Sequence, residues 1–265
     1  MTVSEKLNRL VKCLDQHAAL AIAVSGGLDS MVLAYVTHCH AQTAMTAVHA
    51  LSPAVPQLAT RRVQNHAIRH GWVLELIEAG EMTDPAYRSN PVNRCFYCKS
   101  RLYQRIATVT GLTISSGTNL DDLNDYRPGL EAARQYKVVH PYVEAGLNKA
   151  DIYALANLLG LDDLAALPAQ PCLASRIETG ICVDEQSLRF IEKTETVLRD
   201  LLPEAGTLRC RITAKGVYAE CEPLPSGALR EHVEQQIAVL CQHEGRHFAG
   251  VRAYRRGAAF LKVVE

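Results

Sequence analysis

Apolar positions along the first part of the chain switch repeatedly between helical and strand spacing. Residues 1–17 (MTVSEKLNRLVKCLDQH) read as an amphipathic helix with acids interspersed. Ala19 to Val24 (ALAIAV) is a continuous apolar run of strand length, punctuated by Ser25-Gly26-Gly27 before a helical pattern opens near Asp29. The alternation continues with a strand over residues 43–50, a helix over 56–70 closed by Gly71, a strand over 72–77, a helix after Cys98 and a strand over 112–116. A short strand at 138–140 and a helix from Asn148, its N-cap, to Leu159 with Gly160 at its end complete this part. Near-continuous apolar strands alternating with helices predict an α/β fold, a doubly wound parallel sheet covered on both faces, with ligands at the carboxyl ends of its strands.

The pattern changes near residue 180. An amphipathic helix runs from Asp184 to Pro203, followed by strand-like stretches at 207–213 and 216–221, a helix near 228–241 and strand-like residues to the end. Two domains follow: residues 1–180, and a small α+β domain over 181–265 for substrate binding or assembly. Residues 161–180 have no clear period and are expected to form a functional connecting loop.

Composition narrows the class. With 28 basic and 28 acidic residues the net charge is zero, 48% of residues are hydrophobic, and no apolar run approaches the roughly 20 residues that span a bilayer. Neither membrane nor nucleic acid is expected as a partner. The N-terminus lacks the basic and apolar regions of a secretory signal, so a cytoplasmic protein is expected. In that compartment the nine cysteines are core fillers plus a metal or catalytic set rather than disulfides.

Ser25-Gly26-Gly27-Leu28-Asp29-Ser30 follows a strand and opens a helix, so glycines let backbone approach an anion while N–H groups and the helix dipole face it. Neither GxGxxG nor GxxxxGK[ST] is present. Ala23 ends the strand that delivers this loop. Gly117-Thr118-Asn119-Leu120-Asp121-Asp122 leaves another strand at the same sheet edge; Asp122 suits a metal or substrate, and Arg127, in Asp125-Tyr126-Arg127, suits phosphate or carboxylate. A solvated Asp/Asn turn is the plainer reading of the second stretch. Cys95 and Cys98 form a CxxC, and Cys172 lies in Pro171-Cys172-Leu173-Ala174-Ser175-Arg176. Three thiolates suit a [4Fe–4S] cluster with one open iron; structural zinc using Cys182 as a fourth ligand, or unrelated buried thiols, are the alternatives. Arg176, four residues beyond Cys172, is a candidate grip for a phosphate or a carboxylate.

SGGLDS resembles the loop of the PP-loop ATP pyrophosphatases. Together with NRCFYCKSRLY, SGTNLDDLNDYRPGLEAA, EAGLNKADI and PCLASRI, it resembles the LarE family of ATP-dependent sulfur transferases over most of residues 19–200. The resemblance implies ATP and Mg²⁺, with Asp29 helping to hold the metal and Ser25 and Ser30 on the phosphates. It further implies a carboxylated pyridinium mononucleotide as a small-molecule substrate, adenylated and then given sulfur as a thiocarboxylate for the nickel-pincer cofactor. Sulfur comes either from Cys172 itself, leaving dehydroalanine, or from sulfide on a [4Fe–4S] cluster held by Cys95, Cys98 and Cys172. The presence of all three cysteines favours the cluster.

In the second domain, Glu195, Arg209, Arg211 and Glu220 fall near the family's substrate- or phosphate-contacting positions, although Arg209 and Arg211 also read as alternating outward residues of a strand. Tyr254-Arg255-Arg256-Gly257 resembles the family's C-terminal stretch, without the Asp-containing segment before it. A tRNA thiolase is the runner-up, because some combine a PP-loop, a CxxC and one distant Cys. A non-enzymatic nucleotide-binding protein is disfavoured by the intact Ser25 and Asp29, and a homo-oligomer is expected.

Overall fold

A computed structural model describes residues 1–124, 127–168, 170–255, 257 and 259. From the N-terminus the elements are α1 (Val3–Leu14), β1 (Ala19–Ala23), α2 (Leu28–His40), β2 (Ala44–Leu51), α3 (Gln57–His70) and β3 (Val73–Glu78). Next come α4 (Pro85–Arg88), α5 (Arg94–Thr110), β4 (Thr113–Ser115), α6 (Pro128–Gln135), α7 (Pro141–Glu144), α8 (Lys149–Leu158) and α9 (Asp162–Ala165). The remainder is α10 (Glu185–Leu201), β5 (Thr207–Thr213), β6 (Gly216–Glu222), α11 (Gly227–His243) and β7 (Phe248–Ala253). The chain divides into two compact units, residues 1–81 with 93–170, and residues 82–92 with 171–265. Residues 171–180, placed with the first domain by the sequence pattern, group with the second unit.

The first unit is a four-stranded, all-parallel sheet in the order β3-β2-β1-β4, flanked by helices in a Rossmann-like arrangement. Side chains alternate across a strand, and β1 divides accordingly. Leu20 and Ile22 enter a core with Leu10 of α1, Met31 and Leu33 of α2, Val63 of α3 and Ile152 of α8. Ala21 faces the other core, with Tyr103 and Ile106 of α5 and Ala132 and Ala133 of α6. Helices therefore cover both faces, as the unbroken apolar run of β1 predicts.

Local signals fix the helix ends. Thr2 caps α1 through its hydroxyl on Glu5 N–H at 3.2 Å while the Glu5 carboxylate returns to Thr2 N–H at 2.7 Å, and Asn148 and Asp151 make the same reciprocal pair at α8. Three expectations are revised. The helix expected after Cys98 begins at Arg94, so both cysteines lie on its first turns. The strand at 138–140 is reduced to one bridge, Val139 with Ser115. The loop at 161–180 contains α9 and a short 3-10 turn at Leu173–Arg176.

The second unit pairs β5 with β6 antiparallel and β6 with β7 parallel. Leu188, Ile191 and Leu198 of α10 and Val233 and Ile237 of α11 are buried at helical spacing. The end of the strand-like C-terminal segment, including Arg256, lies outside the described residues, as do Asp125 and Tyr126.

Candidate nucleotide site and a buried arginine network

Chain order along the first sheet runs outward from β1 through β2 to β3, then resumes on the other side of β1 with β4. The connections after β1 and β4 consequently leave in opposite directions, and the crevice beyond their carboxyl ends is where such sheets bind ligands. Both glycine-containing loops singled out in the sequence arise there, Ser25–Ser30 from β1 and Gly117–Asp122 from β4.

Ala23 ends β1, and Val24 N–H donates to Val48 O at 2.9 Å, extending the ladder one residue into the loop. The turn is tied internally: Ser25 N–H donates to Ser30 Oγ at 3.0 Å, the two hydroxyls are 3.2 Å apart, and Gly27 N–H donates to Ser25 Oγ at 3.3 Å. Gly26 has φ of +79°, and a Cβ on it would lie 2.6 Å from the Ala59 carbonyl of α3. Gly117 is required for a different reason. Its backbone passes so close to α2 that a Cβ would meet Ser30 N at 2.8 Å and Asp29 C at 2.9 Å.

Asp29, in the first turn of α2, has a partner that the sequence pattern did not reveal. Lys149 Nζ reaches its two carboxylate oxygens at 2.8 and 2.6 Å, while Tyr142 Oη donates to the Asp29 carbonyl at 3.0 Å. Lys149 is the first residue of α8, and its N–H donates to Asp121 Oδ2 at 3.0 Å. One signal was available: a helix leaving a parallel strand starts at the carboxyl edge of the sheet, so residues just after the cap Asn148 belong beside the loops.

Thr118 joins a chain in which its Oγ1 lies 3.0 Å from Ser116 Oγ, itself 2.9 Å from His140 Nδ1. Burial lowers the His140 imidazole below its ordinary value, against the carboxylates of Glu144 and Asp122. Asp122 and Arg127 are paired with each other at 2.8 Å, and Asp122 also accepts from Asn119 N–H at 3.1 Å. His49 on β2 reaches the Val24 carbonyl at 2.8 Å and the Thr60 hydroxyl at 2.9 Å, with burial again lowering its affinity for a proton. Arg62 of α3 donates to the Gly26 carbonyl at 2.5 Å. None of Tyr142, His140, His49 or Arg62 was anticipated. At the end of β2 a cleft of about 350 Å³ is lined by Leu51, Ser52, Val55, Gln57 and Thr60.

Cys95 and Cys98 lie one turn apart at the start of α5, both partly buried. Cys172 and Cys182, in the second unit, are exposed. Among the described residues no group of three or more His, Cys, Asp or Glu side chains is assembled to hold a metal ion. Cys210, Cys221 and Cys241 are buried; burial pushes the Cys210 thiol far up and the other two to about 11, as befits core fillers.

Of the four residues proposed for the second domain, Glu195, Arg211 and Glu220 fall into one hydrogen-bonded network with Arg176 and Ser175, and Arg209 stands beside it. Arg176 donates to Glu195 through Nε at 2.8 Å and Nη2 at 3.1 Å, and Glu195 Oε1 also accepts Cys210 N–H at 3.1 Å. Arg211 Nε donates to Glu220 at 2.7 Å and its Nη1 to the Ser175 carbonyl at 2.7 Å, while Arg252 approaches the other Glu220 oxygen at 2.9 Å. Arg209 donates to the Leu208 carbonyl at 2.7 Å and lies 5.9 Å from the centre of the Tyr254 ring. Glu195 and Glu220 are thus occupied by arginines that hold the segment carrying Cys172.

No family model matches the chain. It is 33% identical over 236 residues to the uncharacterized protein slr1717 of Synechocystis, covering 88% of this chain and 86% of that one. It is also 26% identical over 205 residues to pyridinium-3,5-bisthiocarboxylic acid mononucleotide synthase of Lactiplantibacillus plantarum, covering 76% and 74% of the two chains. The chain belongs to the same family as slr1717, and the named synthase is a distant homologue. The chain is also 25% identical over 210 residues to the uncharacterized protein MJ0830 of Methanocaldococcus jannaschii. Among the described residues, no helix is long and apolar enough to cross a membrane.

Proposed function

We propose that the protein is an ATP-dependent sulfur transferase of the PP-loop class, acting on a carboxylated pyridinium mononucleotide. The observation that carries this reading is the Ser25–Ser30 loop at the β1/β4 crevice, in a chain related to a synthase named for a bisthiocarboxylated pyridinium mononucleotide. Two loop hydroxyls, a helix N-terminus and an accessible carboxylate form a donor set that fits a triphosphate with Mg²⁺. Mg²⁺ supplies charge neutralisation on the phosphates, and Asp29 is the residue to hold it. Ser25 and Ser30 position phosphate oxygens, and the cleft beside Leu51 and Val55 is the place for the base.

In the first step a substrate carboxylate oxygen bonds to the α-phosphorus, the α–β bridging bond breaks, and pyrophosphate leaves with that electron pair. Sulfide then attacks the acyl carbon, and AMP departs to give the thiocarboxylate. Preorganised loop donors stabilise charge as it moves onto the departing pyrophosphate.

For the sulfur source, Cys95 and Cys98 suit a shared cluster because a lone sacrificial cysteine needs no CxxC pair. A cluster would take its third thiolate from Cys172 and would supply the transferred sulfide. The test is pyrophosphate release from ATP with a carboxylated pyridinium mononucleotide. The native protein should release it only with that substrate, and Asp29→Ala, which removes no core volume, should reduce release to background with an unchanged circular dichroism spectrum. Undiminished release by that variant would remove the nucleotide assignment.

A further inference from the structure

Asp29, the carboxylate expected to hold the metal, already has a cation on both its oxygens. Lys149 Nζ sits 2.8 and 2.6 Å from them, and the partners are 35% and 29% exposed, so solvent and ligands reach the pair. An ion pair that open to water is held weakly enough to be exchanged. The backbone around it is fixed by contrast. Asp121 receives the Lys149 N–H, Asn148 and Asp151 cap α8 reciprocally, Tyr142 holds the Asp29 carbonyl, and Gly117 packs against Asp29 and Ser30. Only the flexible lysine stem is free to redirect its charge; its ammonium also lies 5.4 Å from the centre of the Tyr153 ring.

A carboxylate neutralised by an ammonium at this distance is a poor ligand for a bare dication, because the metal must displace or approach a like charge. A triphosphate changes that balance. Its oxygens, seated against the Ser25–Ser30 loop, offer the ammonium a more highly charged partner and release Asp29 to the metal that arrives with them.

We infer that Lys149 is a nucleotide-binding residue that exchanges Asp29 for phosphate, so that metal and triphosphate each strengthen binding of the other. The inference rests on the nucleotide reading above, and linkage requires the strengthening to be equal in both directions. Without nucleotide, Lys149 suppresses metal binding at Asp29; with nucleotide, it adds to affinity.

The experiment measures three binding constants on the full chain: Mn²⁺ alone by electron paramagnetic resonance, ATP in chelator by calorimetry, and MnATP by calorimetry. Relative to the native protein, Lys149→Met should bind Mn²⁺ alone about fivefold or more tightly and MnATP about fivefold or more weakly. Lys149→Arg, which keeps the charge, should still suppress Mn²⁺ binding. Lys149→Gln gives the same comparison if the methionine variant does not fold, as judged by thermal unfolding. MnATP binding that is normal in the native protein and unchanged in the neutral variants overturns the role of Lys149 alone. So does metal affinity that fails to rise when the charge is removed. A native protein that binds no MnATP overturns the nucleotide reading and the lysine's role together.

Discussion

Arg176 and Glu195 face each other through two hydrogen bonds, at 2.8 and 3.1 Å, with side chains only 3% and 6% exposed. Arg176 also donates to the carbonyls of Pro171 and Cys172, at 2.7 and 3.2 Å, and to Ser175 Oγ at 3.0 Å. A planar guanidinium can serve all these acceptors at once, and a lysine cannot. The pair therefore acts on the path of the backbone that presents Cys172. Removing one charge leaves the other buried without a counter-ion, which typically costs about 3–5 kcal/mol. Glu195→Gln, which preserves shape, should lower the stability of the second unit by a loss of that order, measured as the urea midpoint of far-ultraviolet circular dichroism. A midpoint within error of the native one would show that water replaces the carboxylate.

Gly117 offers a separate test of how closely the β4 loop approaches α2. A methyl group there meets backbone atoms rather than a flexible side chain, and relieving such overpacking costs about 1–3 kcal/mol. Gly117→Ala should lower the melting temperature and weaken ATP binding together, because the displaced atoms belong to Asp29 and Ser30. Calorimetric ATP binding at native strength in that variant would separate the loop from the nucleotide site.

The local features were legible in sequence. An apolar run followed by Ser-Gly-Gly and a helical period identifies β1, its turn and α2 without reference to the rest of the chain. The start of α5 was missed although Asn93, a favoured cap residue, stands at its N-terminus; in the structure it caps without a side-chain hydrogen bond. Lys149 on Asp29 and Arg176 on Glu195 arise from packing between separate elements, which no periodicity encodes. Asp122 and Arg127 illustrate the same limit: chemistry made each a ligand candidate, but their mutual ion pair appears only in three dimensions.

Histidines give the first unit a calculable response to acid. Burial lowers the proton affinity of His49, His70 and His140, so the folded form takes up protons at lower pH than the unfolded chain, which does so near pH 6.5. Between those values the unfolded state holds more protons, and stability falls as pH falls. The depressed carboxylates Asp151 and Asp163 act only below about pH 4. The single tryptophan, Trp72, is buried in this unit, so its fluorescence reports on it. The urea midpoint should decrease on going from about pH 7.5 to about pH 5.5, and His49→Gln should flatten the slope. A midpoint that rises on acidification would contradict the burial argument.

The two sulfur sources predict opposite behaviour of the CxxC pair. If Cys172 gives up its own sulfur, each chain turns over once, ends with dehydroalanine at position 172, and loses the mass of H₂S; Cys95→Ala and Cys98→Ala then retain that single turnover. If Cys95, Cys98 and Cys172 hold a [4Fe–4S] cluster, each single alanine substitution leaves two thiolates, too few to retain it, and all three variants should lose iron, colour and sulfur transfer together. Cys95 and Cys98 lie together on the first turns of α5, a pairing that suits ligation and has no function in the sacrificial route. The expected outcome is a coloured anaerobic protein that turns over repeatedly with added sulfide, because an open iron can be reloaded and dehydroalanine cannot. Iron and acid-labile sulfide analysis, with intact-protein mass after turnover, makes the decision. Colourless protein that transfers sulfur once and loses the mass of H₂S at Cys172 would assign the sulfur to the cysteine.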